Sequence, residues 1–329
     1  MSFTRRHIVR STGASALLAG LAPLARAQGP ALVESLKIVN GGLPAGIAEP
    51  FGRKIAEGVV RNYAKSVVVD SQVGSDGIGA MQLVKNAAPD GATLLQTPMS
   101  TLAIYPTIFK KLPYDPVADF VPVAMGCVYE FGFAVGSAVP ASVRTMDEFL
   151  TWCKSNEDKA RFGSPAVGSV PHFIGVLAAR TADAPLAHVP YPSTQLAIDD
   201  LVSGKIAAAC GPVGDFTRYV GQGKCRLIAT SGPRRAAVAG GTPTLAEQGL
   251  KDLVFEEWIG FFFPAKTPAE TVARMNAAIR GALLSPLAIT ALVPLGIEPQ
   301  FSTPEALAAR LKKDTDQWNS IFRSMGVKP

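Results

Sequence analysis

The residues best suited to chemistry lie between Arg161 and Arg180, in the stretch RFGSPAVGSVPHFIGVLAAR. Gly163, Ser164, Val167, Gly168 and Ser169 precede an apolar run from Phe173 to Ala179. Small residues let the backbone curl tightly and leave its N–H groups uncovered. A helix start adds unpaired N–H donors and a partial positive charge. The chemistry on offer is anion binding, with a phosphate or a carboxylate held on backbone amides. His172, in the first helical turn, adds a side-chain donor. The same residues also make an ordinary strand-to-helix turn with a capping serine, and the stretch alone leaves both readings open.

The elements that must position this stretch repeat a strand–loop–helix order. Leu36–Val39 reads as a strand running into the small-residue turn Asn40–Gly46, which contains Pro44, Ala45 and Gly46. Phe51, Ile55, Val59 and Val60 recur at helical spacing and predict a helix over 47–64. Ser66–Asp70 is a second strand, Gly74–Gly79 a glycine loop, and a short helix follows with Met81, Val84 and Leu83 as its apolar residues. Ala92–Leu95 is a third strand leading into a loop over 96–101, where Ser100 and Thr101 sit. This order implies a largely parallel sheet covered by helices, with ligands beyond the carboxyl ends of the strands. Four small-residue loops fall at that end.

Two long apolar, β-leaning stretches, Phe120–Val135 and Leu253–Phe263, read as strands that cross between two lobes. Between them come a helix over 145–154, the Arg161 stretch, a strand and turn at 188–192 with Tyr191, and a helix over 193–203. A strand over 205–210 then leads into a loop over 211–215 with Asp215, followed by a last strand at 224–230. Residues 268–329 look helical, with Pro268 and Pro304 near helix starts. Two crossings between two α/β lobes give a clam-shell with a cleft and a hinge. The expected layout is 28–126 as lobe 1, 127–257 as lobe 2, and 258–329 as a return to lobe 1 with C-terminal helices.

Composition narrows the function classes. The 329 residues are 48% hydrophobic and 18% charged, enough apolar surface for two ordinary domains. Of the formal charge of +6, four units come from Arg5, Arg6, Arg10 and Arg26, and residues 1–27 contain no acid, so the rest carries +2. No Lys/Arg cluster there suggests a nucleic-acid partner. The N-terminus reads as an export signal: a basic MSFTRRHIVR, an apolar Ala14–Leu24, and Ala25-Arg26-Ala27 as a small-x-small cleavage pattern before Gln28. Thr4-Arg5-Arg6 resembles a twin-arginine leader. The apolar run is about half of the ~20 residues a spanning helix needs, so no stable anchor is expected after cleavage. The expected location is the periplasm. Cys127, Cys153, Cys210 and Cys225 permit disulfides there, Cys210–Cys225 among them, and buried free thiols equally. Without C-x-x-C spacing, and with only His172 and His188 beyond the leader, neither zinc nor any other cofactor is expected.

Catalytic motifs are missing. Gly77-Ile78-Gly79 has Gln82 where a dinucleotide fingerprint has its third glycine, and Arg218 stands where a P-loop ending in Gly223-Lys224 would begin. No serine lies in a G-x-S-x-G elbow. His172 near Ser169 pairs a base with a nucleophile, but no acid is placed to complete a triad. A Ser/His hydrolase is the weakest alternative, and the expectation is that the protein is not an enzyme.

The full set of motifs resembles the periplasmic solute receptors of the tripartite tricarboxylate transporter family, the Bordetella uptake gene type. The resemblance rests on KKLPYDPVADFVPVA (110–124), GSPAVGSVPHF (163–173), HVPYPSTQLAIDDLVSGKI (188–206), TPTLAEQGL (242–250) and WIGFFFPAKTP (258–268). It implies a two-lobed α/β periplasmic-binding-protein fold (Venus-flytrap, type II) with two crossing strands. It further implies a small carboxylate ligand delivered to membrane transporter subunits, with no catalysis and no cofactor. A periplasmic sensor feeding a signalling partner is the alternative from another class. By the same resemblance the ligand sits on Pro44, Ala45 and Gly46 and on Ser164 through Ser169 with His172, while Ser100, Thr101, Tyr191 and Asp215 line the variable end. The chain departs from the family pattern at the mouth: a shorter first loop with Glu49 near the usual aspartate, Pro192-Ser193 after Tyr191, and Gly211-Pro212 after Cys210.

Overall fold

The computed structural model describes residues 31–43, 46–71 and 77–326. The expected leader, Pro44, Ala45 and the first half of the Gly74–Gly79 loop lie outside them. The chain begins with β1 (Val33–Asn40), whose inward residues Leu36 and Ile38 are fully buried. Helix α1 (Ala48–Val59) follows, and its Phe51, Ile55 and Val59 are all fully buried, as the helical spacing requires. The helix ends earlier than the spacing predicts. Arg61 takes a left-handed φ of 67°, and Ala64 already belongs to β2 (Ala64–Ser71), which pairs in parallel with β1.

Gly77 caps α2 (Ile78–Lys85) at φ 85°, so Gly79 is helical and not part of a loop. A side chain at Gly77 would overlap the Gly41 carbonyl, which fixes this position as glycine. Strand β3 (Thr93–Pro98) runs straight into α3 (Met99–Ala103). The expected loop over 96–101 is therefore a strand end and a helix start. The short α4 (Tyr105–Ile108) completes this part.

Strand β4 spans Phe120–Val135, matching the long apolar run residue for residue, because all but a few of its side chains are buried. Beyond it come α5 (Met146–Lys154), β5 (Arg161–Pro165), α6 (Val170–Thr181) and β6 (Ala187–Tyr191). They are followed by α7 (Thr194–Val202), β7 (Ala208–Pro212), α8 (Val213–Gly221) and β8 (Arg226–Thr230). The expected loop over 211–215 is thus the end of β7 and the first turn of α8. Strand β9 (Glu256–Pro264) returns the chain to the first sheet. Helices α9 (Ala269–Leu283) and α10 (Pro286–Leu292), the two-residue β10 (Glu298–Pro299) and α11 (Pro304–Met325) complete the described chain.

The sheet is mixed, in the order β2-β1-β3-β9-β4-β7-β5-β6, with β8 and β10 also on β4. Its outer strands pair in parallel, as expected, and β4 and β9 run antiparallel to their neighbours. Partners change within β4. Phe120 to Glu130 pair with β9, while Phe131 to Val135 pair with β7, flanked by β8. One strand therefore belongs to both lobes.

Helix starts are well signalled locally. Thr145 and Glu148 form a reciprocal capping box at α5. Thr145→Ala is expected to cost about 1 kcal/mol in urea unfolding. A cost near zero would mean that α5 is held by packing alone. All four cysteines are buried free thiols. No single helix among the described residues is long and apolar enough to cross a membrane.

Candidate functional site

Six helices begin around one cavity of about 70 Å³. A single water needs ~10–15 Å³ by the same measure, so the space holds several heavy atoms and suits a small molecule. Gly41, Gly42, Leu43 and Gly46 line it ahead of α1, with Ile47 and Ala48 at that helix's start. Pro98, Ser100 and Thr101 come from the β3–α3 junction, and Tyr105 from α4. Pro165, Ala166, Ser169 and Pro171 come from the β5–α6 connection, Thr194 from the first turn of α7, and Pro212 from the cap of α8. Tyr129, Phe131 and Glu257 form the floor, where β4 and β9 cross.

Local hydrogen bonds hold the backbone in this shape. The Asn40 side chain accepts from Gly42 N–H at 2.9 Å, and Gly41 N–H donates to the Gln96 carbonyl at 2.7 Å. Gln96 Nε2 in turn donates to the Ala48 carbonyl at 2.6 Å. On the facing side, Ser169 caps α6 in extended geometry, and its hydroxyl donates to the Pro165 and Ala166 carbonyls. Gly168 lies at φ 87°, directly against Ile108 of α4, so the two lobes touch beside the cavity.

No lysine or arginine lines the cavity among the described residues. The charged side chain at its floor is Glu257, only 4% exposed, whose Oε1 accepts from Ser100 N–H at 3.0 Å. The Ser100 hydroxyl and Tyr129 also bond to it. Burial pushes the Glu257 carboxyl above the ordinary range, and those hydrogen bonds partly oppose the rise. An adjoining recess is lined by Gly46, Ile47, Glu49, Gly214 and Asp215. Burial pushes the Asp215 carboxyl up to about 6, against a hydrogen bond from Thr194.

A sequence profile described as "Tripartite tricarboxylate transporter family receptor" matches residues 51–327. The chain belongs to this family. Its receptors bind solutes for transport and are not enzymes. The receptor is 31% identical over 282 residues to the "UPF0065 protein in tcbD-tcbE intergenic region" of Pseudomonas sp. (strain P51), covering 85% of this chain and 82% of that one. A solved periplasmic transporter superposes with a TM-score of 0.82 at 28% identity, covering 90% of this chain and 98% of that one. MatC of Rhodopseudomonas palustris, solved with bound malate, gives 0.78 at 26% identity, with 87% and 98% coverage. The two-lobed periplasmic-binding-protein fold is therefore shared with known structures.

Of the site residues expected from sequence, Gly46, Ser100, Thr101 and Ser169 line the receptor's cavity, and Asp215 lines the adjoining recess. Pro44 and Ala45 lie outside the described residues. The rest of the expected set stands back from the cavity. Val167 is 54% exposed at the loop tip. Ser164 is fully buried and shares a 2.8 Å hydrogen bond with His188 Nε2. Tyr191 packs beneath Gly163, and its hydroxyl donates to Asp200 at 2.9 Å. His172 Nδ1 accepts from Gly168 N–H at 3.2 Å, so its ring braces the loop.

The His172 ring packs against His188 at a tilt of 37°, with centroids 4.1 Å apart. Burial and then the neighbouring His172 hold His188 down to about 4, from an ordinary 6.5. The folded state thus resists a proton that the unfolded state accepts, and stability should fall as pH drops from about 6.5 to about 4. Asp215, raised to about 6, acts with the opposite sign, adding stability over part of that window. Comparing wild type with His188→Gln isolates the histidine: the variant should lose the acid-side decline in urea unfolding, and an unchanged slope would exclude it.

Glu257, Tyr129, Phe131, Thr194 and Tyr105 are among the lining residues that sequence reading missed. The signal available for Glu257 was an acid standing inside the apolar, β-leaning run that becomes β9.

Proposed function

We propose that this chain is an extracytoplasmic receptor that closes on a small carboxylate and delivers it to a tripartite tricarboxylate-type membrane transporter. Residues 28–126 and 258–329 would form one lobe and 127–257 the other. The leader would be cleaved near Ala27-Gln28, releasing the receptor into the periplasm. The observation that carries this reading is the cavity itself, built at the starts of α1, α6, α7 and α8 and lined by no lysine or arginine among the described residues. A carboxylate there would be held by backbone donors and aligned peptide dipoles, each helix start contributing about 0.3–1 kcal/mol. Contacts from both lobes to one ligand would favour the closed state.

The test is thermal unfolding of the protein from Gln28 onward against di- and tricarboxylates, acidic amino acids and aromatic acids, each beside its neutral amide. A bound acid at about 100 times its Kd should add about 2.7 kcal/mol, with no shift from the amide. Equal shifts from acid and amide, or none after unfolding and refolding to strip a carried ligand, would overturn the carboxylate reading.

A further inference from the structure

The cavity combines two opposite kinds of polarity. Helix starts favour an anion at its rim, whereas a carboxylate forms its floor. Glu257 lies opposite Tyr129 in the β4–β9 pairing, and both face the cavity. Its hydrogen bonds come from donors: Ser100 N–H, the Ser100 hydroxyl and Tyr129. The titratable groups whose charge reaches Tyr129 are Glu257 itself, Cys127 on β4 and Asp215 on α8, and all are acidic. Among the described residues no lysine or arginine lines the cavity beside Glu257. A buried carboxylate without a counter-charge is costly, and one that shares its cavity with a second carboxylate costs more.

We propose that the ligand is a small carboxylate that also carries a protonated amine, its carboxylate at the helix starts and its ammonium on Glu257. This rests on the carboxylate-receptor reading above and narrows its substrate class. A plain dicarboxylate would bring its second negative charge against Glu257. An ammonium supplies the missing counter-charge and completes the donor set around the carboxylate. Burial raises the Glu257 carboxyl above the ordinary range, and an ammonium against it would favour the ionised form.

The test compares matched acids with and without the amine: L-glutamate and glutarate, L-aspartate and succinate, L-phenylalanine and 3-phenylpropionate. Each is titrated into wild type and Glu257→Gln, which keeps the shape and removes the charge. The aminated member of a binding pair should be favoured about 10–100-fold by wild type, the difference between a charged and a neutral hydrogen bond. Glu257→Gln should lose or reverse that preference. The wild-type preference decides the matter even if the variant fails to fold. Wild type that prefers the deaminated acid, or binds both members of a pair equally, overturns the inference and leaves the carboxylate receptor standing. Failure of all six acids on both proteins overturns the carboxylate reading itself.

Discussion

Gly168→Val is expected to weaken ligand binding by about 10–100-fold and, separately, to lower the melting temperature. Two costs combine at this position. Gly168 has φ 87°, a conformation that a β-branched residue adopts only at about 1–2 kcal/mol. That strain acts in any folded state and appears in thermal unfolding. The second cost arises because the new side chain would overlap Ile108 of α4. Overpacking of this kind costs about 1–3 kcal/mol, and under the closing motion proposed above it falls on the ligand-bound state and reads out as lost affinity. Adding Ile108→Ala should restore most of the affinity and little of the melting temperature. Affinity unaffected by Gly168→Val would show that the ligand-bound state does not bring these two residues together.

The largest loss of stability is expected from Trp258→Ala, about 3–5 kcal/mol in urea unfolding. Trp258 is fully buried in β9, and its Nε1 donates to Asp314 Oδ2 on α11 at 2.7 Å. Arg310 Nε donates to both oxygens of the same carboxylate at 3.0 and 2.8 Å. Alanine leaves a cavity and takes one donor from a side chain that is only 6% exposed. Trp258→Phe should cost less, about 1–3 kcal/mol, since it forfeits mainly the hydrogen bond. Equal losses from the two variants would mean that the indole N–H, not its volume, is what the fold requires.

Sequence legibility followed the range of the interactions involved. The two crossing strands were readable because burial on both faces imposes a long, mostly apolar run, as in Phe120–Val135. Phe216 and Trp258 behave as core residues, as their apolar settings imply, and both are fully buried. The junctions at 96–101 and 211–215 were read as loops because proline and small residues signal turns, yet here they are strand ends passing directly into α3 and α8. Ser164, His172 and Tyr191 were placed near the ligand by resemblance to the family. Their hydrogen-bond partners His188, Gly168 and Asp200 come from the strand, loop and helix folded around them, which local sequence does not reveal. Glu257 was hidden for the same reason: nothing near it in sequence reveals that Ser100 and Tyr129 will bond to it.

The sharing of β4 between the two sheets also governs how the chain is born. The first part of this strand has β9 as its partner, pairing Phe120 with Pro264, and β9 is made much later. At ~5–20 residues per second, the ribosome leaves that apolar strand waiting on the order of ten seconds for its neighbour. During that interval its open edge can pair with any passing strand. A chaperone that covers Phe120–Val135 until β9 emerges should therefore raise the yield of this receptor more than one acting at either end of the chain.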